Sequence, residues 1–264
     1  MKRVGAVCHF HSEKWSLPGF IEAAEKMFDE IVLVSSPMDG TPPDPETIKI
    51  AEASGHKLIY DTLSQGFGAL RTRCIGYSSC DWVAILDADE RVWPTAPRLE
   101  CVGVEKFPDT LKPDLQVKED WGLSFDTFDQ YTILRDLTLR ADAEDAITIC
   151  LSRRHWFGAP GEWDRPCQNW HEGTGEPDWQ LRLVKNSPWL CYDPTVKMHE
   201  TLKDTRTWAD PRFFRVTDGS LFIDHYAHHY RALEPAQNTE DIATYEALAP
   251  GCTKDMWISH QPQA

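Results

Sequence analysis

The sequence predicts an α/β fold: a mostly parallel sheet flanked by helices, followed by an irregular C-terminal extension. Three observations carry this. Over the first ninety residues, short apolar runs alternate with segments of helical periodicity. One run, "WVAILD" (82–87), is apolar up to its last residue, as in a strand buried on both faces. Polar or glycine-containing loops follow the runs, and ligands of parallel sheets sit beyond the carboxyl ends of their strands.

The elements follow in order. "RVGAVC" (3–8) is a first strand, and "PGFIEAAEKMF" (18–28) a helix with proline near its start. "EIVLVSS" (30–36) is β-branched and extended, and leads into the loop "PMDGTPPD". "PETIKIAEAS" reads as a helix stopped by Gly55, and "HKLIYD" (56–61) as a third strand. "GFGALRTRCIGYSS" (66–79) places Phe67, Leu70, Cys74 and Tyr77 on one helical face. After "WVAILD" the pattern changes. Residues 92–122 are rich in proline and charge and suggest no element. "FDQYTILRDLTLRA" (128–141) is an amphipathic helix, and "AITICLSRR", "WQLRLVK" and "LCYD" read as strands. A polar helix is expected around 240–248. The whole, 1–264, reads as one domain: 1–93 the ligand-binding half, 94–145 a variable helical segment, 146–230 the second half of the site and 231–264 the extension.

Forty-two acidic residues against twenty-seven basic give a net charge of −15, which opposes general binding to nucleic acid or an anionic membrane. Any basic surface must be local, as around Arg153, Arg154 and Arg165. No apolar run is long enough for an integral membrane segment. Eight scattered cysteines without a CxxC pair, behind a start too short for a signal peptide, suggest reduced thiols and a cytoplasmic location, with peripheral membrane contact left open.

The chemistry concentrates at "DADE". Asp87, Asp89 and Glu90 crowd the end of an apolar strand, and carboxylates so close need compensation, for which a divalent cation is the obvious candidate. A solvated turn capping the strand is the plainer reading of these four residues alone.

The stretch "GFGALRTRCIGYSSCDWVAILDADERVWP" resembles nucleotide-sugar-dependent glycosyltransferases of family two, the GT-A (Rossmann-like) type, and most nearly their lipopolysaccharide-type bacterial branch. "PDWQLRLVKNSPWLCYDPTVKMHETL" is similar to a later segment of that branch. "CHFHSEKWSLPGFIEAAEKMFDEIVLVSSPMDGT" is similar, more weakly, to its nucleotide-binding opening. The matches span roughly 3–93 and 146–202. The chain departs from the pattern at Ser12, where the family has Asn, and at Ser35 or Ser36, where it has an Asp that touches the base; Asp39 keeps only the tail of that motif.

The resemblance implies metal-dependent transfer of a sugar from a nucleoside-diphosphate sugar donor to an acceptor hydroxyl, with inversion. The acceptor stays open among a glycan, a lipid-linked sugar, a protein and a modified nucleobase. It implies Mn²⁺ or Mg²⁺ held by Asp89, with His199 or its rival His225 as further ligand. Ser12, Glu13, Ser36, Asp39, Arg71 and Asp87 would bind the nucleotide sugar. Arg71, expected in the first turn of its helix, would meet the phosphates or else pair on the surface with Asp61; Arg73 reads as structural. Asp87 would reach the ribose or a metal-bound water, and Glu90 would orient a neighbour. Asp178 is the first candidate for general base and Glu200 the second. Trp156, Trp163, Trp170 and Trp179 would pave an acceptor site or simply pack the core. Two alternatives stand beside this: a non-catalytic nucleotide- or sugar-binding relative, and a Mg²⁺-dependent nucleotidyltransferase, against which the absence of a glycine run in "CHFHSEKW" counts.

Overall fold

The computed structural model describes residues 2–94, 130–156, 166–167, 178–196, 201–216, 221–226, 243 and 246–248. Its first half follows the expected alternation: β1 (Val4–Phe10), α1 (Leu17–Glu25), β2 (Glu30–Ser35), α2 (Pro45–Ala53), β3 (Lys57–Tyr60), α3 (Phe67–Ile75) and β4 (Trp82–Asp87). Local signals set the boundaries. Asp44 caps α2 by accepting from the Thr47 amide at 2.8 Å, with Pro45 as first helical residue. Gly66, at φ +94°, takes a backbone conformation that a side chain would strain and so turns the chain into α3.

Strands β1 to β4 are mutually parallel in the order β3-β2-β1-β4. Their register aligns Phe10 with Ser35, Ser35 with Tyr60 and His9 with Asp87, so all four carboxyl ends share one edge. Beyond β4 the sheet continues through β8 (Asp178–Lys185), β6 (Thr148–Trp156), β12 (Leu221–His225) and β5 (Glu90–Pro94). β8 is antiparallel to both β4 and β6, so β4 has one parallel and one antiparallel neighbour. Short strands β7 (Pro166–Cys167) and β11 (Phe213–Arg215) pair with β6. Strands β9 (Leu190–Tyr192) and β10 (Leu202–Asp204) form a separate hairpin against α3.

The path curls. β5 follows β4 after only Ala88 and Asp89, yet it pairs with β12 at the far end of the sheet. β5, β7, β10, β11 and β12 are strands that the sequence reading did not assign, and 92–94 belong to β5. The helix expected at 128–141 is α4 (Gln130–Ala143). Of the expected C-terminal extension and its helix only 243 and 246–248 are described, all helical, and Leu248 packs on the core.

Strand alternation divides the core. Val4, Ala6, Phe10, Leu33, Trp82, Ala84 and Leu86 face α1 and α4, while Val7, Val32, Val34, Val83, Ile85 and Val184 face α3 and the hairpin. Each Val, Leu, Ile or Phe among them removed from water contributes roughly 1.5–3 kcal/mol before the entropy of ordering it. Ion pairs pin α4 across the sheet: Arg135 to Asp29 at 2.6 Å, and Asp142 to Lys185 at 2.8 Å and Lys2 at 3.0 Å. α3 lies so close to the hairpin that a methyl at Gly68 would meet the Asp193 carbonyl at 3.0 Å, and Thr72 accepts the Tyr192 amide at 2.8 Å.

Candidate active site

The four parallel strands end together, and β4 delivers Asp87 there. Its neighbours come from three other elements. His9, on β1 and directly in register, brings Nε2 to 3.0 Å from Oδ1. Arg71 of α3 donates from Nη2 to the same oxygen at 2.7 Å. Arg182 of β8 donates from Nη2 to Oδ2 at 3.1 Å. Alternation explains the convergence: His9 shares a face with Val7, Asp87 with Ile85 and Arg182 with Val184, the face that α3 covers. Arg71 is the fifth residue of α3, in its second turn, not its first. Its side chain is 9% exposed, one turn on from Phe67 and on the same side, so it reaches the sheet instead of solvent.

Glu90 closes the group. Fully buried, it accepts the Asp87 amide at 3.1 Å through Oε2 and Arg182 Nη2 at 2.7 Å through Oε1, with Arg153 Nη1 at 3.3 Å. Among the described residues, three guanidiniums therefore meet the Asp87 and Glu90 carboxylates. Burial alone would raise the Asp87 carboxyl. Arg71, Arg182 and His9 outweigh it and hold Asp87 well below the usual carboxylate range. His9 Nε2 also lies 3.3 Å from Arg71 Nε. One nitrogen cannot donate to the carboxylate and accept from the guanidinium at once, so the tautomer decides which contact is a hydrogen bond.

Asp89 stands in the turn between β4 and β5. Its Oδ2 lies 3.5 Å from His225 Nε2, at the end of β12, and its carbonyl accepts the Tyr226 amide at 2.9 Å. Among the described residues no three His, Cys, Asp or Glu side chains form a metal-holding group. The chemistry of the pair nonetheless fits a hard or borderline divalent cation, with one carboxylate oxygen and one imidazole nitrogen, and Mn²⁺ better than Mg²⁺. Both Asp87 oxygens face cationic or imidazole donors, which suits hydrogen bonding more than metal ligation. His199 and Glu200 lie outside the described residues. Asp178 opens β8 at the end where antiparallel β4 stops; its side chain is outside the described set.

The loops at the same edge are tied internally. Glu13 accepts the amides of His11 at 2.5 Å and Ser12 at 2.8 Å, folding its carboxylate back on its own loop. Ser36 is buried and donates its hydroxyl to the Phe10 carbonyl at 3.2 Å, joining β2 to β1. Asp39 is exposed, accepts from Thr62 Oγ1 at 2.7 Å and donates its amide to Ser64 Oγ at 2.6 Å.

Asp61 pairs with Arg73, not Arg71: Nε and Nη2 donate at 2.8 and 2.9 Å, and the Tyr77 hydroxyl at 2.6 Å. Two residues turn a helix by about 200°, which is why Arg73 meets Asp61 while Arg71 meets Asp87. Burial and the Asp61 carboxylate push the Tyr77 phenol up to about 12. Of the four tryptophans, Trp179 alone has a described side chain; it is half-buried, with the Arg215 guanidinium stacked 4.9 Å from its ring.

His9 and Arg182 escaped the sequence reading. A polar residue in phase with Val184 in "WQLRLVK", and another in phase with Val7 at the end of β1, were the available signals.

No family model matches the chain. Among solved structures it is similar to Staphylococcus aureus TarS, at 12% identity and a TM-score of 0.48, over 85% of this chain and 36% of that one. The 1–349 form of TarS in complex with UDP-GlcNAc aligns at 11% identity and a TM-score of 0.47, over 85% and 58%. Glucosyl-3-phosphoglycerate synthase from Mycobacterium tuberculosis, in complex with Mn²⁺, UDP and glucosyl-3-phosphoglycerate, aligns at 19% identity and a TM-score of 0.27, over 34% of each chain. The chain thus spans about a third of the length of TarS and just under three fifths of its 1–349 form.

Proposed function

We propose that the chain is a nucleotide-sugar-dependent glycosyltransferase, moving a sugar from a nucleoside diphosphate to an acceptor hydroxyl with inversion. One observation carries this: Asp87 sits at the shared carboxyl edge between two buried guanidiniums, with the Asp89–His225 pair two residues on. A diphosphate needs positive charge where its own negative charge builds, and a ribose hydroxyl needs an acceptor beside it. Arg71 and Arg153 supply the first and Asp87 the second.

Mn²⁺ or Mg²⁺ would be held by Asp89 and His225, with His199 a further ligand, and would neutralise the diphosphate as a Lewis acid. Asp178 is the leading candidate for general base, since β8 begins at this edge; it would take the acceptor's proton as the hydroxyl attacks the anomeric carbon. Glu200 is the second candidate. Ser12, Glu13, Ser36 and Asp39 line loops at the edge where the nucleoside would lie. With Glu13 and Ser36 already bonded to the main chain, their part is to shape the loops.

The test is a thermal-shift panel of UDP-, GDP-, dTDP-, ADP- and CMP-linked sugars, each with Mn²⁺ or EDTA. A ligand confined to the folded state raises the melting temperature, by about 2.7 kcal/mol of added stability at a hundredfold excess over Kd. One nucleotide series should stabilise in Mn²⁺ and not in EDTA, and Asp89→Ala should abolish turnover with the fold intact. No shift with any donor, in folded protein, would refute the reading.

A further inference from the structure

Asp87, Glu90 and Arg182 form a closed circuit. The Asp87 amide donates to Glu90 Oε2, Glu90 Oε1 accepts from Arg182 Nη2, and the same Nη2 donates to Asp87 Oδ2. A carboxylate offers about four acceptor directions. In Asp87, Oδ1 is crowded by two nitrogens, Arg71 Nη2 and His9 Nε2, while Oδ2 meets one, Arg182 Nη2. The side chains of Arg71, His9 and Arg182 are 9%, 8% and 5% exposed, whereas that of Asp87 is 28% exposed. The accessible acceptor capacity of Asp87 therefore lies on Oδ2, the oxygen whose direction Arg182 sets.

Arg182 takes up this position at a cost to itself. Its Nε–H is buried and without a hydrogen-bond partner among the described residues, although its neighbour Nη2 serves two carboxylates. Its grip on Glu90 is the shorter, 2.7 Å against 3.1 Å, and Glu90 is the buried partner. Glu90 thus fixes Arg182, and Arg182 fixes Asp87.

We propose that Arg182 is a positioning residue: anchored by Glu90, it holds the Asp87 carboxylate with Oδ2 turned toward the ribose hydroxyls of the nucleotide. This rests on the nucleotide-sugar reading of the site. Arg182 acts through Asp87 and need not touch the ligand. It therefore governs discrimination by hydroxyl, whereas a residue that merely stabilised the fold would weaken all nucleotides alike.

The experiment has two arms. In the first, affinities for UDP, GDP and ADP and for their 2′,3′-dideoxy analogues are measured in Mn²⁺ for the wild type, Asp87→Asn, Arg182→Met, Arg182→Lys and the double variant Asp87→Asn/Arg182→Met. The wild type should prefer the hydroxylated form of the nucleotide it binds by about tenfold or more, the worth of a hydrogen bond to a charged group. Arg182→Met and Asp87→Asn should each bring that ratio near one, the double variant no lower, and Arg182→Lys should restore part of it. A folded Arg182→Met that keeps the wild-type ratio, or a wild type that binds nucleotide without discrimination, overturns the proposal.

The second arm is a crystal structure of Arg182→Met, or of Arg182→Lys if the methionine variant does not fold. Asp87 should turn away from its present orientation; a carboxylate unmoved on Arg71 and His9 overturns the positioning role. If the wild type binds none of the three nucleotides and no donor of the thermal-shift panel, the functional reading falls, while this second arm still decides the geometry.

Discussion

Glu90→Gln tests the buried network most sharply, because it changes charge and almost nothing else. Glutamine has the shape of glutamate and keeps one acceptor oxygen, but its amide nitrogen is a donor facing donors. Glu90 is fully buried and serves Arg182 at 2.7 Å, the Asp87 amide at 3.1 Å and Arg153 at 3.3 Å. Arg182 and Arg153 would both lose the carboxylate they share. Removing one partner of a buried ion pair costs about 3–5 kcal/mol, because the other charge stays behind without compensation. Arg182 would keep its 3.1 Å contact with Asp87, so the lower figure applies, about 3 kcal/mol. In a chain of this size that corresponds to a fall in Tm of roughly 6–12 °C. Differential scanning fluorimetry reads it directly, with urea denaturation as a check on the midpoint. A fall of less than about 1 °C, well under 1 kcal/mol, would mean that Asp87 alone compensates Arg182 and that Glu90 anchors nothing.

His225→Ala should leave Tm nearly unchanged in EDTA yet abolish the Mn²⁺-dependent part of nucleotide stabilisation; isothermal titration with Mn²⁺ measures the same loss. Gly19→Ala would bring a methyl to 2.7 Å from Arg91 Nη2, which is held by the Ser16 carbonyl at 2.9 Å, and should destabilise by about 1–2 kcal/mol despite alanine's helix preference; urea denaturation checks it. Asp61→Asn should cost about 2 kcal/mol at pH 7 by breaking the pair with Arg73 and the bond from Tyr77. Burial alone would raise the Asp61 carboxyl, but Arg73, Tyr77 and the Thr62 amide hold it below its ordinary value. Its contribution is therefore complete above about pH 4 and disappears as pH falls through the lower folded value. Stability curves of wild type and Asp61→Asn should accordingly converge below pH 4; a gap unchanged down to pH 2 would refute that origin.

The first half of the fold was legible because three of its four strands, β1, β2 and β4, are apolar on both faces or nearly so. Ala6, Val7, Val32, Val34 and the run Trp82–Leu86 leave no other reading. The second half hides its strands behind charge. Glu90 and Arg91 begin β5 and are both buried, but from sequence they look like the rest of an acidic loop. Their burial is made tolerable by Arg182, ninety residues away, and by carbonyls of Ala88, Glu90 and Ser16 around Arg91, none of which local pattern can supply. Of the site, Asp87 and Asp89 were legible from an apolar strand ending in acid. His9 was not, since only the register of β1 against β4 brings it opposite Asp87. Arg71 lies in the second turn of its helix and not the expected first, since with Gly66 as cap and Phe67 as first residue it is the fifth.

The curl of the sheet has a consequence in time. A chain emerging from the ribosome completes β1, α3 and β4 early, so His9, Arg71 and Asp87 can meet while most of the sequence is still unmade. Glu90 then waits about ninety residues for Arg182, and Asp89 more than 130 for His225. Until β8 and β12 arrive, the acidic turn at the end of β4 carries three carboxylates with few cations to meet them, and β5 has no strand to pair with. Closing contacts of such long sequence separation slows folding. It also means that a partly synthesised chain can bring His9, Arg71 and Asp87 together without Arg182, and that the Asp89–His225 contact forms only when β12 joins the sheet.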